Sequence, residues 1–196
     1  MPRTDVRRQI LDAAAKLFYR HGVNGVGIDA ILAEARASSR SLYQHFRSRD
    51  GLALAFLEKR DGDWLAWFTG AVNGAGGDAE ARLLAIFDAL DEWFRRPEFR
   101  GCAFINVAGE VADSEHPLRR VAARHKHALL DFIRAIAREG AFSDSETLAR
   151  EIFLLVEGAI VSALVLAAPE AAKIAQNAAA SLIAARRRAP KPTFQH

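Results

Sequence analysis

Ser38–Ser39–Arg40–Ser41–Leu42–Tyr43–Gln44–His45–Phe46 is the stretch whose reading decides the fold. At about 100° per residue, Leu42 and Phe46 share one helix face, while Arg40, Gln44 and Arg47 point the opposite way. Ser38 stands where its hydroxyl can accept one of the first orphan N–H groups of the helix. Arg40 and Gln44 lie one turn apart on the free face. Arginine can pair in bidentate fashion with guanine and glutamine with adenine in the major groove, and Ser41 and Tyr43 suit phosphate oxygens. Many amphipathic surface helices share this layout, so the flanking sequence must decide.

Upstream, Ile28, Ile31, Leu32 and Ala35 make a short amphipathic helix that ends near Arg36–Ala37. Before it, Val6, Ile10, Ala13, Ala14, Leu17 and Phe18 repeat at helical spacing between Thr4, as cap, and Gly22, as stop. The order is therefore helix, then helix–turn–helix, with a fourth helix from about Ser48 to Ala71 as support. Charge follows the same division. Residues 1–60 hold 11 Lys/Arg against 6 Asp/Glu, and residues 61–185 hold 12 against 18, so the first segment is the one suited to a polyanion.

The run Ile10–Leu11–Asp12–Ala13–Ala14, then Leu17–Phe18, His21–Gly22, Ile28 through Ile31, and Ala35 to Asp50 (A-R-A-S-S-R-S-L-Y-Q-H-F-R-S-R-D) resembles the DNA-binding domain of TetR-family transcriptional regulators. The closest echo is L-Y-x-H-F followed by a basic and an acidic residue. The likeness covers roughly the first quarter of the chain. It implies that Ser38, Ser39, Arg40, Ser41 and Gln44 contact bases or phosphates, and that Tyr43 and His45 form a phosphate-contacting pair. Arg49 falls where a lysine of the family touches the DNA backbone. Three positions depart from the pattern. Val26 and Gly27 stand where a Thr or Ser caps the second helix and contacts phosphate. Arg36 replaces a turn glycine, which asks a non-glycine residue to adopt a left-handed conformation at a cost of about 1 kcal/mol, or else adds a phosphate contact. Arg40 replaces a small residue.

From Asp61 onward the pattern is helix after helix. Gly74–Ala75–Gly76–Gly77–Asp78 is a break, with Asp78 capping a helix from about Ala79 to Arg96. Further helices are expected from Cys102 to Ala112, from Ser114–Pro117 to Glu139 with Gly140 as stop, and from a Ser143/Glu146 capping box to Ala167. The last runs from Pro169 to about Arg188. The expected fold is all-α with about nine helices. Residues 1–47 form a three-helix helix-turn-helix domain, 48–188 a helical ligand-binding and dimerisation domain, and 189–196 a disordered tail. Arg186–Arg187–Arg188 and Lys191 make the end basic, suited to weak attraction to DNA or to solubility alone.

Aromatic residues gather at Trp64, Trp67, Phe68, Phe87, Phe94, Phe104 and Phe132, with Asn106 and Glu110 one turn apart and Cys102 beside them. Packed core explains any one of these aromatics. The resemblance implies that helices four to seven enclose an effector, which these residues would line as a small, mostly apolar molecule. Leu154, Gly158, Val161, Leu164, Ile174 and Ser181 place small and apolar residues on the last two helices. So much apolar surface predicts a homodimer through a four-helix bundle, which the resemblance also implies. The expected partners are thus a palindromic double-stranded operator, an effector and a second copy of the chain.

No His/Cys/Asp/Glu set has metal spacing, and no phosphate loop, nucleophile elbow or carboxylate pair is present, so neither cofactor, metal nor enzymatic activity is expected. The single cysteine, the charged N-terminal stretch and the lack of a long apolar run point to a cytoplasmic, non-membrane protein. The expected function is ligand-released repression. The alternative is a helical small-molecule-binding protein that has lost specific DNA binding, motivated by Gly27 and Arg36.

Overall fold

Helical periodicity is realised throughout the computed structural model, which describes residues 3–140 and 142–187. Among these residues there are nine α-helices and no strand: α1 Arg3–His21, α2 Ile28–Ala35, α3 Ser39–Phe46, α4 Arg49–Gly74, α5 Ala79–Phe94, α6 Ala103–Glu110, α7 Pro117–Glu139, α8 Ser145–Val165 and α9 Ala171–Arg186. The punctuation is largely local. Gly22 takes φ +81° and its N–H bonds the Phe18 carbonyl at 2.9 Å, ending α1. The Asp78 carboxylate accepts the Ala81 N–H at 2.9 Å and opens α5. Two expectations are corrected. Thr4 lies inside α1, which already begins at Arg3. The start of α8 is capped by Asp144, which accepts the Thr147 N–H at 3.2 Å, and not by Ser143. Ser143 instead donates both its N–H and its hydroxyl to the Arg186 carbonyl. Glu146, freed from any capping box, pairs with Arg134 and Arg150, whose guanidinium groups lower its carboxyl pKa to about 2.

The chain forms two compact units, Met1–Leu65 with Arg100–Lys126, and Ala66–Phe99 with His127–His196. The first extends beyond the 1–47 segment. Its core takes Ile10 and Phe18 from α1, Ile31 from α2, Leu42 from α3 and Leu52 and Phe56 from α4, with the Phe18 and Phe56 rings 5.8 Å apart. It also contains α6, which is tied to the first helices at both ends. The Tyr19 hydroxyl accepts the Arg100 N–H at 3.0 Å and donates to the Gly101 carbonyl at 2.9 Å, ahead of α6. At the far end, Glu110 reaches the loop after α1.

In the second unit α9 packs on α8 and α5. Leu83, Ile86 and Leu90 of α5, Ile152 and Val156 of α8, and Ala172, Ala179 and Ile183 of α9 are buried. Gln176 is a buried polar residue within that apolar layer. Its amide donates to the Leu84 carbonyl at 3.0 Å and to the Asp88 carboxylate at 2.8 Å. The outer faces of α8 and α9 remain apolar: Leu154 is 67 % exposed, Ile174 66 % and Leu166 71 %. Between them runs a groove of about 330 Å³ floored by Gly158, Ser162 and Ala178. Arg186 and Arg187, read from sequence as part of a loose basic end, are paired here with Glu151 at 2.9 Å and Glu80 at 2.8 Å. The expected tail, 189–196, and Arg188 lie outside the described residues.

Candidate nucleic-acid interface

Helix α3 is short, and its stability in place comes from its apolar side. Leu42 and Phe46 are buried against the first unit's core, and isolated eight-residue helices do not persist in water. Ser38 caps it as expected: its hydroxyl accepts the Ser41 N–H at 3.2 Å and lies 3.0 Å from the Ser41 hydroxyl. The opposite face is open. Ser39, Arg40 and Gln44 are exposed, and Tyr43 is 49 % exposed. Among the described residues neither Arg40 nor Gln44 has a side-chain hydrogen bond or ion pair. His45 is half-buried with its ring 6.3 Å from that of Phe46, an edge contact that orients it.

Arg49 is placed differently from its neighbours. Its guanidinium donates to the carbonyls of Val23 and Val26, the latter at 3.3 Å, and lies 5.9 Å from the Phe18 ring centre. These bonds anchor the loop ahead of α2 to the start of α4, so in this structure Arg49 is committed to protein carbonyls. Gly27, at the start of α2, supplies no side-chain cap. Arg36 has φ 50° and ψ 42°, the left-handed conformation expected of a residue in a glycine's place. Its N–H bonds the Ala33 carbonyl at 3.3 Å, and the Ala37 N–H bonds that of Leu32 at 3.1 Å, so the turn satisfies two helix-end carbonyls.

The residues expected around an effector fall in both units. In the first, the Phe104 ring stacks on His125 at 3.8 Å and 16°, and Trp64 meets the same imidazole at 5.2 Å. Cys102 is buried at the head of α6. Asn106 donates to the Arg100 carbonyl at 2.9 Å. Glu110 accepts the N–H groups of Val23 at 3.2 Å and Asn24 at 2.7 Å, while the Asn24 amide donates to the Glu110 carbonyl at 3.1 Å. Both polar residues of α6 are thus engaged by protein. In the second unit Phe68 and Phe132 meet edge to face at 6.2 Å, and Trp67 lies next to Phe68 and under the Arg96 guanidinium at 4.3 Å. Phe94 packs with Trp93 and Phe99, and Phe87 is buried.

His125 is not among the site residues expected from the sequence. It is 1 % exposed, and its Nδ1 is 2.8 Å from the Asp61 carboxylate. Burial lowers its pKa to about 4, outweighing the Asp61 bond that raises it, with Lys126 and Arg60 adding to the lowering. The ring is therefore neutral near pH 7, and its Nδ1–H donates to Asp61. The partner is 64 residues away, and no local pattern announces it.

A capped helix with one face buried and one face of exposed Arg and Gln, carried on a helix–turn–helix, is the layout of the helix-turn-helix class of DNA-binding proteins. Residues 10–56 match the family model described as "Bacterial regulatory proteins, tetR family", and residues 79–179 match the tetracyclin repressor-like C-terminal domain. The chain belongs to the tetR family of bacterial regulatory proteins. It is 23 % identical to the HTH-type transcriptional repressor NemR of Escherichia coli K12 over 88 % of this chain and 86 % of that one. Identity to the HTH-type transcriptional repressor SCO4008 of Streptomyces coelicolor is 30 %, over 76 % of this chain and 74 % of that one. Among solved structures, the TetR-family regulator SCO4454 of S. coelicolor superposes with a TM-score of 0.87 at 29 % identity, over 94 % of this chain and 97 % of that one.

Proposed function

We propose that this transcriptional regulator is a cytoplasmic, ligand-released repressor that grips a palindromic operator as a homodimer. Residues 1–47 read the DNA, and residues 48–188 hold the effector and pair the protomers. The open Arg40–Gln44 face of α3 carries the reading, because two unpaired, bidentate-capable side chains on a rigidly held helix suit base edges. Ser38, Ser39, Ser41, Tyr43 and His45 add phosphate contacts. Two copies placed by a two-fold axis would set their reading helices about 35 Å apart, in successive major grooves. The exposed Leu154, Leu166 and Ile174 supply the apolar surface for that pairing. The aromatic residues Phe68, Phe87 and Phe132 of the second unit supply walls for a mostly apolar effector. Such a ligand lowers DNA affinity by the coupling free energy between its two conformations, typically about 1–3 kcal/mol.

The test is a shift assay with the purified protein and palindromic fragments from its own upstream region. Affinity should fall steeply with salt. Failure to shift any genomic fragment would overturn the reading in favour of a ligand-binding protein without operator recognition. That second reading is favoured by Gly27, which offers no capping hydroxyl, and by Arg49, which is turned to Val23 and Val26.

A further inference from the structure

Arg36, which caps the end of α2 three residues ahead of α3, and Arg47, which directly follows α3, both hold positive φ. Among the described residues of the first unit, no other non-glycine residue does so. Arg36 is left-handed at φ 50°. Arg47 has φ 64° and ψ −37°, and the Ser48 N–H bonds the Phe46 carbonyl across it at 2.7 Å, which makes it the centre of a γ-turn of the strained, positive-φ kind. A glycine would occupy either position without steric cost, whereas a side chain there is disfavoured by contact of Cβ with the following carbonyl. The arginine side chains do not compensate within the protein. Both are exposed, and neither makes a side-chain hydrogen bond or ion pair among the described residues. Strain maintained at two places around one helix, by the same exposed cation, calls for an outside partner.

Resting on the DNA-binding reading above, we propose that Arg36 and Arg47 are a pair of phosphate clamps that straddle the reading helix. They take the anchoring role that Gly27 lacks a side chain for and that Arg49, bonded to Val23 and Val26, does not fill. An eight-residue helix is about 12 Å long at 1.5 Å per residue, close to the width of the major groove. With the helix in the major groove, Arg36 in the turn ahead of it and Arg47 just past its end reach the flanking phosphates, while Arg40 and Gln44, between them, face base edges. Arg36 and Arg47 set affinity and orientation, and the sequence preference stays with the residues between them.

The experiment measures operator affinity by fluorescence anisotropy from about 50 to 300 mM salt. It compares the wild type with Arg36→Gly, Arg47→Gly and the double variant, and follows unfolding in parallel. Each Gly variant should keep or raise its unfolding midpoint. Each should also lose about 0.9 from the slope of log K against log salt per phosphate released, hence about 1.8 per homodimer, with at least about tenfold weaker binding at physiological salt. The ranking of base-substituted operators should not change. Lys and Gln at the same positions keep the backbone restriction and differ in charge, so the slope should survive in Lys and fall in Gln. A wild-type slope in the Gly and Gln variants overturns the clamp while leaving the regulator reading intact. A wild type that binds no operator overturns the regulator reading and the clamp with it.

Discussion

Replacing Glu110 separates two roles for the same carboxylate. If it orients an effector, its loss should leave the ligand-free protein as stable as before. In the structure it instead closes on the loop after α1, accepting one part-buried N–H from Val23 and one exposed N–H from Asn24. Hydrogen bonds to charged groups contribute about 1.5–3 kcal/mol each, and exposure of the Asn24 bond brings the pair to about 2–3 kcal/mol. For a chain of this size 1 kcal/mol moves the melting temperature by about 2–4 °C, so Glu110→Ala should melt about 5–10 °C lower. Glu110→Gln keeps one acceptor oxygen and should lose about half as much. Gly22 sharpens the test, since a Cβ there would lie 2.7 Å from the Glu110 Oε1. Gly22→Ala should be costly alone, through this clash and its φ of +81°, and less costly in the Glu110→Ala background. A coupling of at least about 0.5 kcal/mol is expected. Thermal unfolding by circular dichroism of the four proteins reads the cycle. A Glu110→Ala melting temperature within about 1 °C of the wild type, with no coupling to Gly22, would refute the loop-anchoring role.

Arg40→Ala and Gln44→Ala should each erase about 1–3 kcal/mol of discrimination between operator and base-substituted operator, measured by competition binding, with unchanged unfolding. Leu154→Glu or Ile174→Glu should shift the protein from dimer to monomer in sedimentation velocity, because a charge would be desolvated in the pairing surface; a persistent dimer would place the interface elsewhere. His125 has a folded-state pKa of about 4 against an ordinary 6.5. Between those values the unfolded chain binds the extra proton and the folded one does not, so stability falls as pH drops from about 6.5 to 4 and levels below. His125→Asn, which keeps a donor for Asp61 but does not titrate, should flatten that window in urea titrations at successive pH values.

What was legible in the sequence was local. The α3 face, the Ser38 cap and the Gly22 stop follow from neighbours within about one turn, where backbone geometry decides which groups meet, while the left-handed Arg36 was expected from the glycine that the family has in its place. What was not legible depends on elements brought together by packing. Arg49 sits in a motif position suited to phosphate, yet its carbonyl partners lie 23 and 26 residues back. Glu110 and Asn24 are 86 residues apart, and His125 and Asp61 64. Charge pattern misled at the C-terminal end, where Arg186 and Arg187 resemble a solvated basic run but find Glu151 and Glu80 on other helices. At the start of α8 the expected cap, Ser143, bonds the distant Arg186 carbonyl instead, and its neighbour Asp144 caps the helix.

Gln176 bears on how α9 keeps its place. The buried side of α9 is mostly alanine: Ala171, Ala172, Ala175 and Ala179. Over those alanines the surface is nearly self-similar on sliding, and a shift by one turn of about 5.4 Å would put methyl groups where methyl groups already were, leaving Ile183 as the one large apolar side chain that resists it. The buried amide makes that slide unequal. Displaced from Leu84 and Asp88, it would lose both acceptors, at about 1–3 kcal/mol for the amide left unpaired, while the exposed Asp88 carboxylate would be hydrated. Gln176 therefore pins the axial position of the alanine-rich part of the helix, as the Arg186–Glu151 pair does at its end. Through that setting it fixes the height at which Ile174 emerges on the opposite side.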